Sequence, residues 1–183
     1  MSKNTTIVMV RHAEEPEEGG ANLSVAGQAR AHAYTAYLPS LINGDPSPRN
    51  RHLFAAADSS KSHRSRLTLT PLADAVGQPI HADVGDDDYA QLAKRLLSDP
   101  RYDEAQILIC WHHGKILDLA HALGVRRHQL PKRAHWPTKW PDHIYGWTLV
   151  IGFDAAGSID PDQTRCFNQK LMHGDHGSEP PHG

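Results

Sequence analysis

Apolar runs bounded by turn-forming residues recur along the chain. Residues 5–10 and 105–111 are the strongest of these runs, and they are apolar or β-branched almost throughout. Shorter runs lie at 52–57 and 79–84. A strand that is apolar along its whole length, rather than at alternate positions, is typical of a sheet covered on both faces. The pattern therefore predicts four strands of a largely parallel sheet.

The segment 23–38 carries the first helical pattern. Ser24 is its predicted N-cap, since a serine side chain accepts a hydrogen bond from the first free amides of a helix. The predicted apolar stripe recurs at helical spacing and consists of Ala26, Ala29, Ala33 and Tyr37. Residues 43–50 follow as a turn-rich linker. We expect the first helix to pack on the sheet through this stripe.

Three further helices are predicted along the chain. One runs from about residue 63 to residue 76 and is closed by Gly77, and another covers 89–97. The clearest pattern places Ile116, Leu119, Ala120 and Leu123 at helical spacing, with Gly124 as the C-cap. The helices alternate with the predicted strands, as they do in α/β proteins.

The order of these elements predicts a three-layer α/β/α fold with a mostly parallel central sheet. The end of the chain differs, because residues 144–153 and 164–172 have the pattern of an antiparallel hairpin. Residues 125–143 form a long loop before this hairpin. We expect one domain over residues 1–172 and a mobile tail over residues 173–183.

Composition narrows the class of protein. Of the 183 residues, 39% are hydrophobic and 22% are charged, which is typical of a globular domain. The formal net charge of −2 gives no indication of a nucleic-acid or anionic-membrane partner. No apolar run is long enough to span a membrane, and the first residues lack the pattern of a secretion signal. Since Cys110 and Cys166 do not suggest a disulfide framework, we expect a cytoplasmic location.

Cationic and imidazole side chains stand where the predicted strands end. Arg11 and His12 follow the first strand directly, and Arg64 opens the helix after the second. His112 follows the central apolar strand. Ligands of such sheets bind beyond the carboxyl ends of the strands, so these residues are expected to meet in one pocket. Guanidinium groups bind tetrahedral oxyanions through paired donors, and an imidazole can act as a nucleophile toward a phosphoryl group.

Four segments, in order, resemble motifs of the histidine phosphatase superfamily, which is also called the phosphoglycerate mutase-like superfamily. "VMVRHAEE" is similar to its arginine–histidine signature, and "LSVAGQARA" is similar to the "L-T-x-x-G-x-x-Q-A" segment that opens its first helix. "SSKSHRSRLTLTPLA" resembles "S-P-x-x-R-A-x-x-T-A", and "ILICWHHGKI" resembles "V-V-x-H-G-G-x-I". The resemblance covers roughly residues 5–124 and implies the phosphoglycerate mutase-like fold.

The resemblance also implies a phosphohistidine mechanism. His12 would attack the phosphoryl group and carry it as an intermediate, which water would then hydrolyse. Arg11, Arg64 and His112 would hold the phosphoryl oxygens. Neither a metal nor an organic cofactor is implied. The segment reads "H-H-G" where the family has "H-G-G", so His113 is an alternative to His112. We favour His112, because the helix then starts where the family's helix does.

The general acid is less defined than the other parts of the predicted site. Family members use a glutamate between the first-helix and second-histidine motifs, or an aspartate just after the second histidine. The candidates in this chain are Asp86, Asp87, Asp88 and His113. Loss of a general acid slows reactions with poor leaving groups by about 10²- to 10⁴-fold. A chain without one would therefore prefer good leaving groups such as that of phosphohistidine.

The acidic segment after the first predicted strand has a simpler interpretation. Glu14, Glu15, Glu17 and Glu18 are expected to form a mostly solvated loop, in which Glu14 is the residue that could bind an arginine. The substrate is expected to be a phosphorylated small molecule or a phosphoprotein. The sequence does not indicate the oligomeric state.

Other classes of function remain open at this point. A phosphomutase would share the fold, although the segment between Arg64 and His112 leaves little chain for the closing helices that mutases carry. A phosphate- or phosphopeptide-binding module would result if the acid were missing. A metal hydrolase built on His12, His112 and His113 is a further alternative, but the clustered carboxylates typical of such sites are lacking.

Overall fold

The computed structural model describes residues 3–41 and 50–181. The strands are β1 (Thr6–Arg11), β2 (Arg51–Ala56), β3 (Ile80–Val84), β4 (Gln106–Trp111), β5 (Trp147–Phe153) and β6 (Ile159–Asn168). The helices are α1 (Val25–Ser40), α2 (Arg64–Val76), α3 (Tyr89–Ser98) and α4 (His113–Ala122). The predicted linker at 43–50 lies outside the described residues except for Asn50.

The strands form one sheet in the order β3-β2-β4-β1-β5-β6. Strands β1 to β4 pair in parallel, whereas β5 is antiparallel to both β1 and β6. The predicted α/β class with a mostly parallel sheet and a late hairpin is confirmed. The second hairpin strand, β6, begins at Ile159 rather than at the predicted residue 164.

The central strand β1 packs against helices on both faces of the sheet. Ile7 and Met9 belong to a buried cluster with residues of α3 and α4, and Val8 and Val10 belong to a second cluster with residues of α1 and α2. This alternation produces the predicted three layers and buries the strand on both faces. No helix within the described ranges is long and apolar enough to cross a membrane.

Local signals define the helix ends that were predicted. The Ser24 side chain accepts a hydrogen bond from the amide of Gly27 at 3.0 Å and caps α1. Gly77 ends α2 in the left-handed conformation, with a φ of 65°. A side chain at Gly27 would collide with the backbone of Glu14, so a glycine is needed where α1 approaches the loop after β1.

The buried face of α1 differs from the predicted alanine stripe. Ala26 and Ala29 are exposed, and the helix packs instead through Gly27, Arg30, Ala31, Tyr34 and Leu38. Arg30 is 1% exposed and lies 2.6 Å from a carboxylate oxygen of Glu14 and 2.7 Å from one of Asp175. Arg30 can be buried on this face because its charge is paired with the carboxylates of Glu14 and Asp175.

The segment from residue 173, expected as a mobile tail, contains a buried carboxylate. His173–Asp175 forms a short 3₁₀ turn, and Asp175 is 3% exposed. Its carboxylate binds Arg30 and accepts hydrogen bonds from the amides of Leu171 and Met172 at 3.0 Å. These contacts tie Asp175 to a distant helix, which no local sequence pattern indicates. The domain bounds of 1–172 and the mobility of the segment beyond them stay predictions.

Candidate active site

Strand register brings His12 and His112 side by side. Strands β1 and β4 are adjacent and parallel, and Arg11 pairs with Trp111 at their carboxyl ends. The next residue on each chain segment is a histidine, and the ring centroids of His12 and His112 lie 5.0 Å apart. The amide of His12 donates to the carbonyl oxygen of Trp111 at 3.1 Å, which continues the pairing into the site. The two strongest apolar runs of the sequence thus place both imidazoles at one sheet edge.

The side chain of His12 is buried and held in one tautomer. Its Nδ1 lies 2.8 Å from the carbonyl oxygen of Ala13. Because a carbonyl oxygen can only accept a hydrogen bond, Nδ1 carries the proton and the lone pair remains on Nε2. Burial, with a further contribution from Arg11 and Arg64, lowers the pKa of His12 to about 2. His12 is therefore a neutral imidazole with an unprotonated Nε2.

A short chain of hydrogen bonds ties the His12 loop to α2. The amide of Ala13 donates to Oγ1 of Thr68 at 2.9 Å, and the Thr68 hydroxyl donates to the carbonyl oxygen of Arg64 at 2.7 Å. Thr68 is 0% exposed, and Arg64 is the first residue of α2. These contacts fix the loop that carries His12 relative to the helix that carries the second arginine.

The guanidinium group of Arg11 is enclosed by residues from the far end of the chain. Its side chain is 0% exposed, and Nη1 donates to the carbonyl oxygens of Asp142 and Ile144. Its Cζ lies 3.8 Å from the centroid of the Tyr145 ring, in cation–π contact. Nε of Arg11 is buried and has no hydrogen-bond partner among the described residues. The long loop before β5 therefore orients Arg11 but leaves one of its donors available.

Arg64 reaches the same place from α2. Its side chain is 12% exposed and donates to the carbonyl oxygen of Gly20. The carboxylate of Glu15 joins the two arginines, with Oε1 3.4 Å from Nη2 of Arg11 and Oε2 3.0 Å from Nη2 of Arg64. Within the described part of the chain, Nε of Arg64 is likewise buried without a partner. Two guanidinium groups thus converge, each with an unused donor.

Positive charge accumulates around these side chains. Helix α4 begins at His113, so the partial positive charge of its N-terminus lies beside His112. Burial lowers the pKa of Arg11, and the like charge of Arg64 acts in the same direction. Burial also lowers the pKa of His112, and Asp86 acts in the opposite direction. The arrangement suits a bound tetrahedral oxyanion.

The structure separates the three aspartates proposed as general acids. Asp86 is close enough to His112 to raise the pKa of that imidazole against the effect of burial. Asp87 is 80% exposed and pairs with Lys115 at 3.1 Å. Asp88 is exposed at the start of α3. Asp86 is therefore the member of this group that lies beside the site.

The fourth acid candidate, His113, lies between the site and an adjoining cavity. Burial lowers the pKa of His113, and the charges of Arg11 and Asp142 also act on it. The cavity has a volume of about 370 Å³, and its lining includes His113, Lys139, Trp140 and Asp142. Nδ1 of His113 is buried without a hydrogen-bond partner among the described residues.

The histidine metal site considered from the sequence is not formed. Within residues 3–41 and 50–181, no group of three or more His, Cys, Asp or Glu side chains is placed to share a metal ion. Cys110 and Cys166 are both buried as free thiols.

Two residues of the site, Glu15 and Tyr145, could not be predicted from the sequence. Glu15 stands four residues after Arg11, but this spacing indicates an ion pair only within a helix. The Tyr145 hydroxyl donates to Oε1 of Glu15 at 3.3 Å across a separation of 130 residues, which no local pattern reveals. The neighbouring Glu14 does bind an arginine, which is Arg30.

Comparisons with known proteins give matches to solved structures. No family model and no curated protein matches the chain. The structure of the protein histidine phosphatase SixA complexed with tungstate matches with a TM-score of 0.53 and 12% identity, over 85% of this chain and 92% of that one. A protein from Agrobacterium tumefaciens, assigned as a candidate phosphohistidine phosphatase SixA, matches with a TM-score of 0.53 and 18% identity, over 83% of this chain and 94% of that one.

These similarities establish the fold of the chain. The match extends over most of both chains and is not confined to one common motif. The chain has the phosphoglycerate mutase-like α/β fold, which the solved histidine phosphatase SixA also has. The fold that the four sequence motifs imply is therefore confirmed.

Proposed function

We propose that this chain is a histidine phosphatase, a phosphohydrolase that transfers a phosphoryl group first to His12 and then to water. The observation that carries the proposal is the neutral His12, with its lone pair on Nε2, beside the guanidinium groups of Arg11 and Arg64. Transfer to an imidazole needs an unprotonated nitrogen, and a phosphoryl group needs fixed positive donors around its oxygens. The fold shared with a solved protein histidine phosphatase supports the proposal.

Arg11, Arg64 and His112 would hold the phosphoryl oxygens. The buried Nε groups of the two arginines are donors without a partner in the described chain, and a guanidinium can bind two oxygens at once. The N-terminus of α4 would add to the positive field. The structure of SixA contains tungstate, which is itself a tetrahedral oxyanion, and this supports an oxyanion site in this fold.

In the first step, Nε2 of His12 would attack phosphorus in line with the leaving group. The bond from phosphorus to the leaving atom breaks, and the leaving group takes its electron pair. A poor leaving group also takes a proton from an acid. We assign this role to Asp86, because it lies beside His112, with His113 as the alternative. The two arginines stabilise the charge on the three oxygens that are not displaced.

In the second step, water would attack the phosphorus of phosphorylated His12. The bond between phosphorus and Nε2 breaks, its electron pair returns to Nε2, and inorganic phosphate leaves. A proton from the water passes to the conjugate base of the acid or to solvent. The hydrogen bond from Nδ1 to Ala13 would persist through both steps, so His12 returns to the tautomer it started from.

We favour a phosphohistidine protein as the substrate class, with phosphorylated small molecules second. The imidazole of phosphohistidine is a good leaving group, and such a substrate depends little on a general acid. The two structural neighbours carry the designations protein histidine phosphatase and phosphohistidine phosphatase, which supports this choice. Buried free thiols at Cys110 and Cys166 fit action in a reducing cytoplasm.

Hydrolysis assays on the His12→Asn variant test the proposal. Wild type and variant would be compared on a phosphohistidine peptide and on an aryl phosphate. We expect kcat/KM to fall by about 10³-fold or more in the variant on both substrates, because Asn cannot form the intermediate. The matched control is His128→Asn, which removes an exposed imidazole and should retain activity within about twofold.

Three results would redirect the assignment. Hydrolysis that persists at the wild-type rate in His12→Asn would contradict the phosphohistidine mechanism. A wild type that binds inorganic phosphate but hydrolyses neither substrate would favour the phosphate-binding module. Formation of a phosphate isomer in place of free phosphate would identify a mutase.

A further inference from the structure

The carboxylate of Glu15 lies where two oxygens of a bound phosphoryl group would be expected. Its Oε1 is 3.4 Å from Nη2 of Arg11, and its Oε2 is 3.0 Å from Nη2 of Arg64. Carboxylate and phosphoryl oxygens are both held by guanidinium donors in this bridging manner. The hydroxyl of Tyr145, which packs on Arg11, donates to the same carboxylate at 3.3 Å.

We propose that Glu15 is an internal competitor for the phosphate site. Its carboxylate binds Arg11 and Arg64 when no phosphoryl group is present, and it must leave them when one binds. The inference rests on the proposed function, which assigns the phosphoryl group to these arginines. It makes Glu15 a residue that sets the affinity of the site for phosphate.

Glu15 must leave because its carboxylate and a phosphoryl group would place two anions side by side on the same pair of guanidinium groups. Nη2 of each arginine already faces a carboxylate oxygen, so a phosphoryl oxygen at the same donor would meet that oxygen directly. Phosphate and carboxylate are both negative, and at such short separations their repulsion is strong in a partly buried site.

Glu15 is able to leave because its side chain reaches solvent. Its side chain is 39% exposed, whereas those of Arg11 and Arg64 are 0% and 12% exposed. The following residue is Pro16, and Glu17 beyond it is exposed to solvent. Water can solvate the carboxylate once it turns outward, and the bound phosphoryl group then supplies the counter-charge for the two arginines. The arginines stay in place while the carboxylate swings out.

The consequence is a lower affinity of the site for free inorganic phosphate. The apparent affinity of a ligand falls by the fraction of molecules in which the site is open to it. Inorganic phosphate has no contacts beyond the site to compensate for displacing Glu15, whereas a substrate also binds through its leaving group. Competition by Glu15 therefore weakens the hold on the product and favours its release.

Calorimetric titration with inorganic phosphate tests the inference. We expect Glu15→Gln to bind phosphate about tenfold more tightly than wild type, because the amide keeps the shape but loses the charge that competes. Glu17→Gln makes the same change of charge on an exposed neighbour and should stay within about twofold of wild type. Glu15→Asp keeps the charge on a shorter side chain that spans the two arginines less well, and its affinity should fall in between.

Steady-state kinetics give an independent readout. Inhibition of aryl phosphate hydrolysis by inorganic phosphate should strengthen in Glu15→Gln by the same factor as the binding affinity. Phosphate affinity in Glu15→Gln equal to that of Glu17→Gln, or weaker, would overturn the inference. Unchanged phosphate affinity with a loss confined to alkyl phosphates would also overturn it, and would make Glu15 a proton donor instead.

The Arg64→Ala variant separates this inference from the proposed function. If phosphate binds neither wild type nor Glu15→Gln, or binds Arg64→Ala as well as wild type, the phosphate site itself is misassigned and both proposals fail. If binding depends on Arg64 and is insensitive to Glu15, the phosphatase proposal stands and only the competitor is excluded.

Discussion

His12 donates a hydrogen bond from Nδ1 to the backbone carbonyl oxygen of Ala13 at 2.8 Å, and this bond determines which nitrogen can react. A carbonyl oxygen cannot donate, so the proton is fixed on Nδ1 and the lone pair on Nε2. Ala13 is in turn held by Thr68 of α2, which links the tautomer of the proposed nucleophile to the helix carrying Arg64. The geometry thus prepares Nε2 for attack before substrate arrives.

A first prediction concerns the pH dependence of stability. The pKa of His12 is about 2 in the folded chain and about 6.5 when unfolded, so the unfolded state binds more protons between these values. Stability must then rise with pH in that window and be lost as the pH falls below about 6.5. From pH 7 to pH 5 the loss through His12 should be about 2 kcal/mol. Urea unfolding of wild type and His12→Asn at both pH values measures this loss of unfolding free energy.

The comparison with His12→Asn isolates this residue. Burial also lowers the pKa of His112 and of His113, and these groups remain in the variant. The fall in unfolding free energy from pH 7 to pH 5 should be about 2 kcal/mol smaller in His12→Asn than in wild type. His128→Asn should behave as wild type. An equal fall in His12→Asn and wild type would show that His12 is not held neutral.

A second prediction concerns the proton donor. Asp86→Asn should slow hydrolysis of an alkyl phosphate by about 10²-fold or more and that of an aryl phosphate much less, because an aryl leaving group needs little protonation. Asp87 pairs with Lys115 in solvent, so Asp87→Asn is the matched control and should have little effect. Rates on both substrates would be measured for the two variants.

The same assay assigns the role if Asp86 does not hold it. A selective loss on alkyl phosphate in His113→Ala, and not in Asp86→Asn, would transfer the assignment to His113. Equal losses on both substrates in Asp86→Asn would mean that Asp86 orients the site without donating a proton. A wild type active only on activated substrates would indicate that this chain works without an acid.

A third prediction concerns the buried pair of Arg30 and Asp175. Burial would raise the pKa of Asp175, but the hydrogen bonds from Arg30 and the nearby amides lower it below the usual range. Asp175→Ala removes one partner of a buried charge and should lower the unfolding free energy by about 3 kcal/mol. Chemical denaturation at neutral pH measures this loss.

The control for this pair lies in the same C-terminal segment. Glu179 forms an exposed ion pair with Lys170, so Glu179→Ala should change stability by less than about 1 kcal/mol. A small effect of Asp175→Ala, similar to that of the control, would show that the buried pair with Arg30 does not stabilise the fold.

Much of the fold could be predicted from the sequence because its signals are local. The run that forms β1 is apolar along its length because both faces of the strand are covered. Ser24 begins α1 and Gly77 ends α2 through contacts within one turn. The buried face of α1 could not be predicted in this way. Arg30 is polar by composition, and its burial depends on Glu14 and Asp175, which are 16 and 145 residues away.

The same distinction between local signals and contacts of distant residues applies to the candidate site. Arg11, His12 and His112 stand at ends of strands, and a parallel sheet places such ends together, so their meeting could be predicted from the pattern. Glu15 and Tyr145 could not be found, because their roles follow from contacts between loops. The choice among the aspartates likewise needed the structure, since Asp86 and its neighbours are alike in sequence.

Trapping the phosphorylated form of His12 tests the proposed nucleophile. The protein would be mixed with a phosphohistidine peptide or an aryl phosphate and quenched in alkali, which preserves phosphohistidine. It would then be digested for mass spectrometry. We predict a phosphoryl group on Nε2 of His12, absent from His12→Asn and present in the exposed-residue control His128→Asn. Phosphate release without a trapped intermediate in single-turnover samples, or a phosphoryl group on another residue such as His112, would contradict the account.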